Sequence, residues 1–141
     1  MGPLIQAEPG VLLAWLIFAA TLVGMVGCGP KSELLGVSGE VSLDGTPLKS
    51  GSIELSSVNS DKLFASGTLI EHGNYEIPQA KGLPPGKYLV VINAADESAP
   101  RAPGGGAREL IPMEYNVSSQ VTVDLTVDGE NHFPFDIVSK K

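Results

Sequence analysis

One cysteine in 141 residues, Cys28, excludes an internal disulfide and any multi-cysteine metal site. Only two histidines are present, His72 and His132. Isolated as they are, the first in a turn-like context and the second before a strand-like one, they read as surface residues rather than as a metal pair. Basic residues are scarce and scattered. The formal charge is −7, and without clustered Lys and Arg the chain lacks the electrostatic footprint of a nucleic-acid binder. The single Trp, Trp15, lies in the N-terminal apolar run. Beyond that run the aromatics reduce to Phe64, Tyr75, Tyr88, Tyr115, Phe133 and Phe135, enough to help fill a small core but no aromatic binding platform.

The one long apolar stretch runs from Val11 to Val26 without a charge. At about 16 residues it suits the apolar region of a signal segment and is short for a spanning helix. It ends in Met25-Val26-Gly27-Cys28, which resembles a bacterial lipobox. The resemblance implies cleavage before Cys28, diacylglycerol on its thiol and acylation of the new amino terminus. Cys28 is thus the expected lipid attachment site, residues 1–27 the signal peptide and 28–35 a tether. Several acyl chains together hold a small protein durably on a bilayer. Gly29, where a residue other than Asp follows the cysteine, points by analogy to the outer membrane. The first ten residues carry no Lys or Arg and one acid, Glu8, a departure from the usual export signal. The alternative is an uncleaved membrane helix with Cys28 as a bystander thiol, and both readings put the domain on a membrane.

From Gly36 the pattern changes to alternation of period two, which predicts half-buried strands. Val37, Gly39, Val41 and Leu43 fall on one face, with Ser38, Glu40 and Ser42 turned to water. Asp44-Gly45 supplies a turn, and Pro47 bars central-strand pairing. Ile53 with Leu55, the stretch 64–70, and Tyr75 with Ile77 continue the series around a turn at His72-Gly73-Asn74. Pro84-Pro85-Gly86 forces a reversal before Lys87 to Asn93, the expected central strand. Residues 94–112 lose the pattern, and their Gly/Pro-rich middle predicts a mobile loop. Alternation returns at Val121, Val123, Leu125 and Val127. After a turn at Asp128-Gly129, Phe133, Phe135 and Ile137 predict a closing strand, and 139–141 a tail. About seven short strands and no helical pattern predict an all-β fold over 36–138, a sandwich of Ig-like type.

Several motifs together look familiar: Val37 to Leu48 (VSGEVSLDGTPL), Gly51-Ser52-Ile53-Glu54-Leu55, Gly73-Asn74-Tyr75-Glu76-Ile77, and Gly82-Leu83-Pro84-Pro85-Gly86-Lys87-Tyr88. They resemble the transthyretin-like or carboxypeptidase-regulatory-like group. The chain is especially similar to small lipoproteins of planctomycete bacteria, which share a proline followed by a Tyr-Asn pair, here Pro112 and Tyr115-Asn116. The resemblance implies a β-sandwich used in accessory, adhesive or spacer roles. Its shared residues read as folding residues. Glycines serve the reversals, and Tyr75 and Tyr88 cap the core while their hydroxyls reach water or backbone.

Reactive constellations are sparse. Ser118 and Ser119 lack a nucleophile-elbow context. The donors from Asp124 to Asn131 lack the spacing of a Ca²⁺ loop and read as a solvated hairpin. Asn116-Val117-Ser118 fits a glycosylation acceptor that is idle in bacteria. The expectation is a membrane-anchored, extracytoplasmic structural or protein-binding module, periplasmic or at the cell surface, with no catalytic residues, metal or cofactor. Its partners are the membrane and a surface or periplasmic protein. Two alternatives stand beside it: a carbohydrate- or peptide-binding lipoprotein of an uptake or degradation system, and a transthyretin-like hydrolase built around a histidine.

Overall fold

The computed structural model describes Gly2 and residues 33–59, 61–101 and 103–140. The expected signal peptide, Cys28 and most of the tether lie outside the described residues. Eight strands follow in order: β1 (Val37–Leu43), β2 (Thr46–Pro47), β3 (Ser50–Ser57), β4 (Ala65–Glu71), β5 (Asn74–Ile77), β6 (Gly86–Asn93), β7 (Thr122–Leu125) and β8 (Phe135–Ile137). Two single 3-10 turns, Gln79–Lys81 and Met113–Tyr115, interrupt the connections. The expected all-β class and strand number are met.

The strands form a curled half-barrel in the neighbour order β2-β1-β5-β4-β3-β6-β7, with β8 on β1. All pairs are antiparallel except β8 with β1, which is parallel. The curl has a local cause. Strand β4 pairs with β3 at seven positions but with β5 at one, Glu71↔Asn74, while β5 pairs with β1 at four. Beyond that single pair the ladder splits and the sheet folds over its apolar face.

Both tight hairpins are written in the sequence. Asp44 and Gly45 have φ of 52° and 80°, and His72 and Gly73 have 52° and 81°. Positive φ at both central residues gives the turn whose twist matches the strands it joins. Pro47 lies in β2, at the margin of the sheet.

Alternation then fills the core. Val37, Val41, Ile53, Leu55, Tyr75, Ile77, Tyr88, Val90, Ile92, Val123, Leu125, Phe135 and Ile137 are buried, joined by Leu35, Leu48, Ile70, Leu83 and Ile111 from strand ends and connections. Each fully buried aliphatic side chain contributes roughly 1.5–3 kcal/mol relative to exposure. Strand β6 lies between β3 and β7, as a central strand should. Val127, expected to continue the inward face of β7, is 54% exposed. The strand stops at Leu125, and Thr126 exchanges two backbone hydrogen bonds with the Asn131 amide, which turns the chain toward β8.

The register sorts the connections into two ends. Leu35, which exchanges hydrogen bonds with Leu83, lies at the same end as the β3–β4 connection, the start of β6 and residues 126–132. The turns at 44–45 and 72–73, the excursion 94–111 and the carboxyl-terminal residues occupy the opposite end.

Candidate functional site

The excursion after β6 is anchored at its base. Ala95 bridges Glu109, the Asp96 N–H donates to the Arg108 carbonyl at 2.7 Å and the Leu110 N–H to the Ala94 carbonyl at 2.8 Å. The Glu109 carboxylate accepts from the Ala94 N–H at 2.8 Å and the Ile111 N–H at 3.0 Å. Ala94 and Ile111 are buried, so the segment leaves and re-enters the domain from fixed points. Strand-like alternation is missing because the pairing is short and one bond partner is a side chain.

This base borders a hollow of about 480 Å³ whose walls include Leu43, Pro47, Leu48 and Leu110, with Lys49, Asp96 and Glu97 at its margin. The Ser50 hydroxyl donates to Glu97 at 3.4 Å across it. Asp96 accepts from the Ser98 hydroxyl and N–H at 2.6 and 3.0 Å, and these bonds hold its carboxyl below the usual carboxylate range. A second hollow, about 670 Å³, lies beside the first and shares Leu43 and Leu110 with it. Chain-terminal residues line this one. The Asp44 carboxylate accepts from the Ser139 N–H at 2.8 Å and its hydroxyl at 2.5 Å, and Lys140 pairs with Glu114 at 2.9 Å. That contact lowers the Glu114 pKa.

The two histidines are not brought together. His72 sits in the β4–β5 turn, where its carbonyl accepts from the Asn74 amide at 3.1 Å. His132 pairs with Ser38 across the β1 edge and lines a hollow of about 450 Å³ on the outer face, of which His72 forms no part. A histidine-centred pocket using both is therefore absent among the described residues.

Sequence reasoning missed a different grouping. Nδ1 of His132 is 3.1 Å from the Ser38 hydroxyl, and its Nε2 is 3.7 Å from the Glu40 carboxylate. Ser38 and Glu40 are two apart on one strand, hence on one face. The pairing of Ser38 with His132 depends on a register 94 residues long, which no local signal carries. The geometry does not suit acyl transfer. The Ser38 N–H is bound to the Asn131 carbonyl and its carbonyl to the Phe133 N–H. Ser38 thus sits on a regular strand, with its own N–H not available to a developing oxyanion. The trio is a solvated cross-strand polar cluster.

The glycine–tyrosine motifs have structural roles. The Tyr75 hydroxyl donates to the Phe133 carbonyl and the Tyr88 hydroxyl to the Pro84 carbonyl, each at 2.8 Å. Burial raises the pKa of both phenols. The Pro112 to Asn116 motif forms a 3-10 turn that leads into β7. Ser119 secures it by donating to the Val90 carbonyl. Asn116 is buried within it. No group of three His, Cys, Asp or Glu among the described residues is placed to hold a metal, and no helix among them is long and apolar enough to cross a membrane. No family model matches the chain, and no curated protein or solved structure matches it either.

Proposed function

We propose that the protein is a lipid-anchored extracytoplasmic module, held on a membrane through Cys28 and acting as a structural or protein-binding domain without catalysis. One observation carries this reading: the only cysteine stands at the end of the only long charge-free apolar run, after Met25-Val26-Gly27. A lone cysteine in that position has an assigned use in lipoprotein processing, and none in a disulfide or metal site. The transthyretin-like sandwich pedigree belongs to the same reading. It is supported by the Tyr88 bond to Pro84, a phenol closing a turn at the start of a strand as in sandwich folds, and by the curl of the sheet where the pairing of β4 with β5 is reduced to one position.

The surface reserved for a partner is the far end, where the anchored excursion frames two adjoining hollows. Their mix of apolar walls and single charges suits a peptide segment or a small polar ligand better than an extended flat surface does. A carbohydrate- or peptide-binding role is the second reading, favoured by Lys49, Asp96 and Glu97 around an apolar floor. Binding on glycan and peptide arrays that is lost on Lys49→Ala would establish it.

The primary test is the intact mass of membrane-extracted protein, wild type beside Cys28→Ala. The expected result is a chain beginning at Cys28 with added acyl mass, and no such species in the variant. An unmodified chain retaining Met1 would reject the anchor. For the partner role, crosslinking on intact membranes should yield adducts that disappear when residues 99–106 are deleted; an unchanged adduct pattern would move the partner surface elsewhere.

A further inference from the structure

The β3–β4 connection presents a side chain to solvent in a held conformation. Leu63 is 92% exposed, although its neighbours on both sides are fixed. The Ser57 hydroxyl donates to the Lys62 carbonyl at 3.3 Å and accepts from the Phe64 N–H at 3.0 Å, while the Ser57 N–H donates to the Phe64 carbonyl at 2.8 Å. The backbone is pinned and a leucine projects from it, with Phe64 partly exposed beside it. A large apolar side chain displayed in this way has no role in the core of its own domain.

Its position in the fold gives it a partner. Leu35 bonds to Leu83, the adjoining Lys81 carbonyl accepts from the Ser66 hydroxyl at 2.7 Å, and Ser66 is the second residue of β4, two after Phe64. The chain therefore enters the domain at the end that displays Leu63. Five peptide steps separate Cys28 from Glu33, at most about 18 Å even when extended. The opposite end lies about 20 Å further along β1. With a lipid on Cys28 the Leu63 end is therefore within the tether's reach of the bilayer, and the excursion 94–111 lies at the other end of the domain.

We infer that the Leu63–Phe64 tip is a membrane-docking wedge that seats this end of the domain in the bilayer interface and points the far-end hollows outward. The inference rests on the lipid-anchor reading. Leu63 enters the acyl boundary and Phe64 packs at its edge. Asp61, Asp128 and Glu130 share this end with Lys62, Lys81 and Lys87, so it carries no excess of positive charge, and the docking is driven by apolar contact and does not require anionic lipid.

The test uses the full chain expressed with lipoprotein processing. Single cysteines are introduced as Leu63→Cys, Leu69→Cys or Gly105→Cys, labelled with an environment-sensitive fluorophore and reconstituted in phosphatidylcholine vesicles containing brominated acyl chains. Leu69 is 66% exposed on the outer face of β4 and reports a domain lying flat; Gly105 reports the far end. The expected result is at least about twofold stronger quenching at 63 than at 105, unchanged by added anionic lipid. Acylated protein quenched equally at 63 and 105, quenched at 69 instead, or quenched at 63 only with anionic lipid overturns the wedge and leaves the anchor standing. Intact mass without acyl groups removes the anchor and the wedge together.

Discussion

Tyr75 and Tyr88 occupy matching places in two turns. Each follows a glycine by two residues, each ring is buried, and each hydroxyl donates to a backbone carbonyl at 2.8 Å. The carbonyls differ in origin. Tyr88 reaches back four residues to Pro84, within its own reversal, whereas Tyr75 reaches forward 58 residues to Phe133, beside the last strand. The first latch can form as soon as one turn forms. The second requires β1, β5 and the segment before β8 to be in register, because Phe133 is held in place by donating its N–H to the Ser38 carbonyl. Tyr75 also stacks on Phe135, with ring centroids 6.3 Å apart. Similar local sequence thus serves a local closure in one place and the joining of the chain's two halves in the other.

The comparison breaks most severely at Gly39. A Cβ there would run into the Phe133 carbonyl and lie 2.7 Å from the Tyr75 ring. Backbone on one side and a packed ring on the other leave no room to yield. Gly39→Ala should therefore lower stability by about 3 kcal/mol, read as a fall in the urea midpoint. A loss of only about a few tenths of a kcal/mol would show that the segment before β8 is not packed against β1 as described.

Next comes the phenol pair. Tyr75→Phe removes a donor that ties the Phe133 carbonyl to β5, at a cost of about 1.5 kcal/mol, and Tyr88→Phe should cost about half of that because its acceptor lies in a more open turn. Amide exchange separates them further. Tyr75→Phe should accelerate exchange across 131–137, and Tyr88→Phe only around the reversal before β6. Equal and local effects from both substitutions would erase the distinction.

Alkaline pH sharpens the same contrast. Burial raises the Tyr75 pKa, so the folded protein keeps its proton where unfolded tyrosine, near pH 10, loses it. The unfolded state then binds fewer protons and stability falls as pH rises, by up to about 1.4 kcal/mol per pH unit from this residue, with no effect below about pH 9. Urea midpoints of wild type and Tyr75→Phe should converge between about pH 9.5 and 11.5. Parallel curves would mean that Tyr75 ionises freely in the folded state.

The smallest effect is expected at Asn131, whose amide exchanges two hydrogen bonds with Thr126 at 3.0 and 3.1 Å in an exposed turn. Asn131→Ala should cost about 0.5–1 kcal/mol and speed exchange of the Thr126 amide, leaving the Tyr88 turn unaffected.

The sequence by itself determined the local parts of the protein. The alternation from Val37 to Leu43 and from Lys87 to Asn93, the Asp44-Gly45 and His72-Gly73 reversals and the exposure of their flanks follow from chirality, side-chain period and burial. The lipobox-like Met25-Val26-Gly27-Cys28, too, is contiguous, and the resemblance needs no fold to be read. Tertiary structure alone decided what lies far apart in the chain: the bond from Tyr75 to Phe133, the meeting of Ser38 and Glu40 with His132, the anchored base of the excursion and the placing of Leu63 at the end where the chain enters. It also stopped β7 before Val127, where the period had continued. The physical reason is that a strand's period fixes which residues turn inward, while its neighbour and register are chosen by all the strands together as they bury one shared face.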